Sequence, residues 1–289
     1  VDKKKIFASE AYKKFNDFTL NNIDLSLNRG YIMGFIGPNG AGKSTTIKLI
    51  MNLLKKDSGQ INIFGKDHIE YEQEIKNRIG FVFDENYFYE ELTISEMKWV
   101  VARLYHKWDE KAYNRYLKKF QLPANKKIKE LSKGMKMKFS LAIALSHNAE
   151  FLIMDEPTSG LDPLIRSELL DILAEEIQDE NKAVLFSTHI TSDLDKIADF
   201  ITLIDNGEIV FSTMKDDLLN NYALVKGDKR ILSRNIREMF IGLKENAFGF
   251  EGLVKDRKMA KRLFPDNFLI EKPTLEEIML YHTRREKNV

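Results

Sequence analysis

The chain has 289 residues, 43% of them apolar and 31% charged, which places it among folded globular proteins with room for one large or two unequal domains. Its 45 Lys and Arg against 44 Asp and Glu leave a net charge of +1, so overall charge supplies no attraction to nucleic acid or anionic lipid, and any such binding has to be local. The absence of cysteine excludes disulfides, thiolate zinc sites and cysteine nucleophiles, suits a reducing cytoplasm, and leaves five histidines for any metal.

At the N-terminus Lys3, Lys4 and Lys5 precede an apolar stretch, Ile6 to Ala8, too short for a signal-peptide core. No apolar run approaches the roughly 18 to 20 residues of a membrane span, so work at a membrane would need another chain to provide the span. Short apolar runs separated by turns up to about Gly30, and again from Gly59 to Gly65, predict a small antiparallel sheet. Between them Tyr31 to Ile36 reads as a buried strand, followed by a glycine loop and a helix over Thr45 to Leu54, where Ile47, Ile50, Met51 and Leu54 have helical spacing.

From Thr93 to about Ala149 the period is helical almost throughout, opened by a capping box at Thr93 and Glu96 and interrupted at Pro123. Two further apolar strands follow, Phe151 to Met154 and Val184 to Ser187, separated by a helix with Asp162 as N-cap and Pro163 in its first turn. Phe200 to Phe211 reads as a hairpin turned at Asn206-Gly207. Alternating strands and helices predict a parallel α/β core with an inserted helical subdomain over about 93–149. Beyond a linker near Lys215 to Asn221 the pattern restarts on a smaller scale. Strands are expected over Tyr222 to Val225 and Phe268 to Ile270, and helices over Ser233 to Leu243, Asp256 to Leu263 and Thr274 to His282. The expected division is therefore 1–217 and a small α/β appendage at 218–289.

Gly37-Pro38-Asn39-Gly40-Ala41-Gly42-Lys43-Ser44 satisfies the phosphate-loop pattern and lies between a predicted strand and a predicted helix. Its glycines permit a bend tight enough for consecutive backbone N–H groups to face a β-phosphate. The helix terminus, the Lys43 ammonium and the Ser44 hydroxyl, the last on Mg²⁺, complete the cradle. Asp155 and Glu156 stand at the carboxyl end of a buried strand, where charge is costly unless it meets a cation or a reacting group. Asp155 is expected to hold Mg²⁺ through water and Glu156 to act as general base or water-positioning group toward the γ-phosphate. Gly37, Asp84, Asp155 and His189 each follow an apolar strand, and in a parallel sheet such ends open on one crevice, which makes His189 a candidate γ-phosphate contact. Leu131-Ser132-Lys133-Gly134-Met135 precedes a helix with Ser132 as its N-cap.

Over residues 1–214 this set resembles the nucleotide-binding subunits of ABC transporters, a P-loop NTPase family. It is most similar to ATPase subunits of bacterial exporters in the bacitracin, antibiotic-response and peptide-toxin group, including phenol-soluble modulin exporters of staphylococci. The resemblance implies an adenine-stacking aromatic at Phe15 and a Walker A loop over Gly37 to Thr45, with Asn39, Gly40, Ala41, Gly42, Lys43, Ser44 and Thr45 on ATP. It further implies a signature motif at Leu131 to Met135, Walker B acids at Asp155 and Glu156, a D-loop over Ser159 to Asp162, and a switch histidine at His189. Two subunits would pair head to tail, so that ATP and Mg²⁺ held by one are covered by Ser132 and Gly134 of the other, and hydrolysis resets separately encoded membrane permease subunits. The implied location is the cytoplasmic face of the cell membrane, and the implied cargo a hydrophobic or amphipathic peptide or drug.

Three positions depart from the family pattern. Asp84 stands where a glutamine usually touches Mg²⁺ and the membrane-domain interface, and as a carboxylate it is a further Mg²⁺ candidate beside Ser44 and Asp155. Lys133 replaces a signature glycine and Met135 the terminal glutamine, so altered nucleotide affinity or cycle rate is expected. Lys118 to Lys138 holds eight lysines and one acid, Glu130, and reads as a solvated face or as a surface for a membrane or an acidic partner. A soluble ABC ATPase acting on nucleic acid or ribosomes would carry tandem domains, coiled-coil insertions or basic arms, and a small-molecule kinase would leave the signature, D-loop and switch histidine without a task; nucleic acid is therefore not expected as a partner.

Overall fold

The computed structural model describes residues 4–84, 87–264 and 268–283; Lys3 lies outside them. Elements are numbered along the chain. Strands β1 (Lys4–Lys14), β2 (Thr19–Asn28), β4 (Ser58–Ile63) and β5 (Lys66–Asp67) form the expected antiparallel sheet, in the order β2-β1-β4-β5. The central sheet is built from β3 (Ile32–Ile36), β6 (Ile79–Val82), β7 (Phe151–Asp155), β8 (Ala183–Thr188), β9 (Phe200–Asp205) and β10 (Glu208–Met214). Its order is β10-β9-β3-β8-β7-β6, and every neighbouring pair is parallel except the β9–β10 hairpin. That hairpin turns at Asn206 and Gly207, both at positive φ (46° and 78°), the conformation that Asn-Gly supplies at least cost.

Both faces of the central sheet are covered, and the pleat decides which side chain goes where. Met33, Phe35, Phe151, Ile153 and Leu185 join a core shared with β1, β2 and helix α1 (Lys43–Ile50). Their chain neighbours Ile32, Ile36, Leu152, Met154, Val184 and Phe186 join the core on the opposite face. Helix α1 ends earlier than the periodicity predicts, because Asn52 takes up the left-handed conformation (φ 52°) that terminates a helix. Helix α2 (Glu72–Lys76) leads into β6.

The helical segment comprises α3 (Ile94–Ala102), α4 (Glu110–Lys119) and α5 (Lys133–Leu145). Its start is the predicted capping box, with the Thr93 hydroxyl accepting from the Glu96 N–H and the Glu96 carboxylate accepting from the Thr93 N–H. Helices α6 (Pro163–Glu176) and α7 (Thr191–Ile197) follow β7 and β8, and Asp162 caps α6 by accepting from the Leu164 and Ile165 N–H groups.

The stretch 215–221, expected as a linker, is helix α8 (Lys215–Asn221). Beyond it lie β11 (Ala223–Gly227), a short α9 (Arg234–Arg237), β12 (Gly242–Glu245), β13 (Phe250–Val254), α10 (Arg257–Leu263), β14 (Leu269–Glu271) and α11 (Leu275–Thr283). The helix expected over Ser233 to Leu243 is thus a correction: one turn forms, and the chain then enters β12. Ile236, Phe240 and Leu243 have helical spacing, but they cover a sheet ordered β12-β13-β11-β14. Asn246 fixes the intervening hairpin by accepting from the N–H groups of Phe248 and Gly249. Leu218, Tyr222, Leu275 and Ile278 pack into the same core as α6 and α7.

Candidate functional site

The loop between β3 and α1 is shaped by close approach. A Cβ on Gly37 would stand 2.2 Å from the Ile204 carbonyl oxygen, and one on Gly42, at φ 113°, would stand 2.6 Å from a Leu20 methyl group. No side chain caps α1, so its first N–H groups remain available to an anion. Lys43 is only 6% exposed, and its ammonium donates to the carbonyls of Gly37 (2.8 Å) and Pro38 (3.3 Å). Glu156 Oε1 lies 3.4 Å from the same nitrogen.

Glu156 is held from both sides. Its backbone sits at φ 49°, its N–H donates to the Ser187 carbonyl, and its second carboxylate oxygen is 2.8 Å from His189 Nδ1 and accepts from the His189 N–H. A left-handed glutamate is a costly conformation that persists where the surroundings fix it. The ends of β3, β7 and β8 are thereby tied through one carboxylate.

Burial pushes the Asp155 carboxyl up from its ordinary value, against the lowering effect of the Ser44 and Ser187 hydroxyls. One of its oxygens, Oδ1, is buried with no hydrogen-bond partner among the described residues. An orphaned buried carboxylate oxygen beside a serine hydroxyl fits a divalent cation that takes its remaining ligands from phosphate and water. Among the described residues no cluster of three or more His, Cys, Asp or Glu side chains is placed to hold a metal ion.

A cavity of about 400 Å³ is lined by Asn39, Gly40, Gly42, Lys43, Ser44, Thr45, Asp84, Glu156 and His189, with Phe18 and Ser159. Phe18 belongs to no sequence motif, and Ser159 opens the segment expected as the D-loop. Phe15 lies outside this lining, in an adjoining depression that it shares with Phe18. Ser132 and Gly134 are also outside it, at the start of α5, where the Ser132 hydroxyl accepts from the Met135 N–H and a Cβ on Gly134 would strike Ile165. Asp162 is engaged in capping α6.

Residues 20–159 match the family described as ABC transporter. A lantibiotic transport ATP-binding protein of Streptococcus pyogenes is 34% identical over 213 residues, covering 71% of this chain and 91% of that one. The chain belongs to the ABC transporter ATP-binding family. A bacitracin transport ATP-binding protein of Bacillus licheniformis is also 34% identical, over 66% of this chain but less than two thirds, 63%, of the relative's own length. An ATP-binding subunit of an ABC transporter of known structure superposes with a TM-score of 0.68 at 28% identity, covering 74% of this chain and 92% of that one.

As an ABC ATPase, the chain has Glu156, His189 and Lys43 on one pocket, at the carboxyl ends of adjacent parallel strands. Of the three departures from the family pattern, Asp84 reaches the pocket, and Lys133 reaches Asp84 at 3.6 Å. Met135 packs partly buried against the helical core.

Proposed function

We propose that this subunit binds ATP in the pocket between β3, β6, β7 and β8 and hydrolyses it to drive export of a hydrophobic or amphipathic peptide or drug through separate membrane subunits. The convergence of Lys43, Glu156 and His189 on one carboxylate-centred site carries the reading. In it, the uncapped N–H groups of α1 and the Lys43 ammonium bind the β- and γ-phosphates, and the entering phosphate replaces the carbonyls and carboxylate that Lys43 now contacts. Glu156, released from Lys43 but still oriented by His189, accepts a proton from the water that attacks the γ-phosphorus as the bond to the β–γ bridging oxygen breaks. Ser44, Asp155 and Asp84 are the residues that would hold Mg²⁺, whose charge neutralises the phosphate oxygens. Phe15 and Phe18 border the side where a base would stack.

Ser132 and Gly134 are not on the pocket of their own subunit, so their nucleotide role requires a second subunit paired head to tail. The relatives named for bacitracin and lantibiotic transport support the cargo class. No helix among the described residues is long and apolar enough to cross a membrane. In this reading separate membrane subunits provide the path, and the ATPase subunit sits on their cytoplasmic side. Six of the eight lysines between 118 and 138 pair with acids of the same chain, which supports the reading without a nucleic-acid partner.

The test is Glu156→Gln in the subunit co-purified with its membrane partners. ATP binding should persist, turnover should fall about 10²- to 10⁴-fold, and a closed pair of subunits should accumulate. Undiminished turnover would remove Glu156 from the base role.

A further inference from the structure

Two of the three departures from the family pattern meet each other. The Lys133 ammonium stands 3.6 Å from Asp84 Oδ1, and it also lies over Gly160, where a Cβ would come within 3.1 Å of it. Gly160 has φ 66°, a left-handed conformation that favours glycine, and its missing side chain leaves room for the lysine. Three segments distant in sequence, the end of β6, the start of α5 and the turn after β7, thus converge on one cation. The approach is built into the surroundings. Phe88 packs on Phe139 of α5 at 4.8 Å, Glu90 pairs with Lys136, and Glu91 pairs with both Lys127 and Lys129. Phe88, Glu90 and Glu91 are thereby strapped to the segment that carries Lys133.

We propose that Lys133 is a positioning residue for the nucleotide pocket of its own subunit, acting through Asp84. This rests on the pocket being the ATP site. Asp84 adds a carboxylate to a lining that already holds Glu156, and a triphosphate is repelled by any carboxylate it meets without a counter-charge. In the nucleotide-free pocket the Glu156 carboxylate faces the Lys43 ammonium, and the Asp84 carboxylate faces that of Lys133, which no phosphate contact draws away. The lysine offsets the charge that the aspartate introduces and draws the carboxylate toward α5. Lys133 thus has a task within one subunit, apart from any that Ser132 and Gly134 have across an interface.

The experiment is a double-mutant cycle on the affinity for Mg²⁺-free ATP, measured by calorimetry on the full chain at concentrations where sedimentation shows single subunits. Lys133→Ala should weaken binding about two- to fivefold, the range expected for a half-exposed ion pair. The same substitution should have no effect in an Asp84→Asn background, and Lys133→Arg should bind like the wild type. A purely structural role would lower stability without this dependence on Asp84. Equal weakening by Lys133→Ala in both backgrounds, or none in either, overturns the proposal. Lys43→Ala in the same assay separates the two readings. Wild-type affinity there overturns the ATP site itself, whereas independence of Lys133 from Asp84 overturns only the positioning role.

Discussion

Lys43 shows at the scale of one residue how surroundings set a task. A nearly buried ammonium is tolerable only with acceptors, and here it has two loop carbonyls and the Glu156 carboxylate. Each is a position that a phosphate oxygen would outcompete, because a charged acceptor in the loop gains the helix terminus as well. Lys43→Ala should weaken ATP binding about ten- to hundredfold, the cost of a charge-assisted hydrogen bond. It should also free Glu156 from one of its two side-chain partners. Titration calorimetry on the purified subunit measures the first effect, and unchanged affinity would dissociate the loop from the nucleotide. The loop was legible in the sequence because its chemistry depends on consecutive residues. The Asp84–Lys133 contact was not, since it joins positions 49 residues apart and only the fold brings them together.

Among the elements, β6 and α5 are fastened by a buried histidine. His147 follows α5, stacks on Tyr105 at 3.8 Å, and places its two ring nitrogens against the carbonyls of Ile143 and Ile79. Burial lowers its pKa, and burial lowers that of His68 as well, where the ring faces the Ile61 carbonyl. The folded chain therefore binds fewer protons than the unfolded chain once the pH drops below the ordinary histidine value of about 6.5, and stability falls as the pH falls through it. The slope is at most about 1.4 kcal/mol per pH unit for each histidine kept neutral. Urea denaturation at pH 7.5 and 5.5 should show this loss, and His147→Gln should reduce it; an unchanged difference between the two pH values in that variant would discount His147. Elements with strong local signals, such as the Thr93 box, the Asp162 cap and the Asn206-Gly207 turn, were readable from sequence. The region from Ser233 to Glu245 was not, because Ile236, Phe240 and Leu243 fit a helix period while their burial is decided by a sheet formed with residues 223–227 and 250–254.

For the whole molecule, the unexplained surface lies on the helical segment. Tyr87 and Tyr89 are 65% and 70% exposed, Trp99 54% and Leu104 69%, and Leu92, Ser95, Glu96, Trp99 and Val100 line a shallow cavity. Leu92, Trp99 and Val100 share that cavity, and exposed apolar side chains grouped in this way mark a contact surface. Their position follows from the fold: α3 leaves the same connection that begins at Asp84, so this face lies beyond the loop that the resemblance places at the membrane-domain interface. The ion pairs of Asp84, Glu90 and Glu91 with Lys127, Lys129, Lys133 and Lys136 strap the pocket lining to the signature segment, and from Glu91 the chain runs directly into Leu92 on this face. Under the proposed function, this is the face on which a membrane subunit would seat. Trp99→Ala with Leu104→Ala should leave the affinity for ATP unchanged and unfolding free energy within about 0.5 kcal/mol, since neither side chain is part of the core. It should nevertheless weaken co-purification with the membrane subunits by roughly thirtyfold or more, as loss of an aromatic anchor does at an interface. Pull-down of tagged membrane subunits from detergent measures this directly. Recovery of the double variant at the wild-type yield would move the docking face elsewhere on the molecule, and the strap would then join the pocket to the signature segment alone.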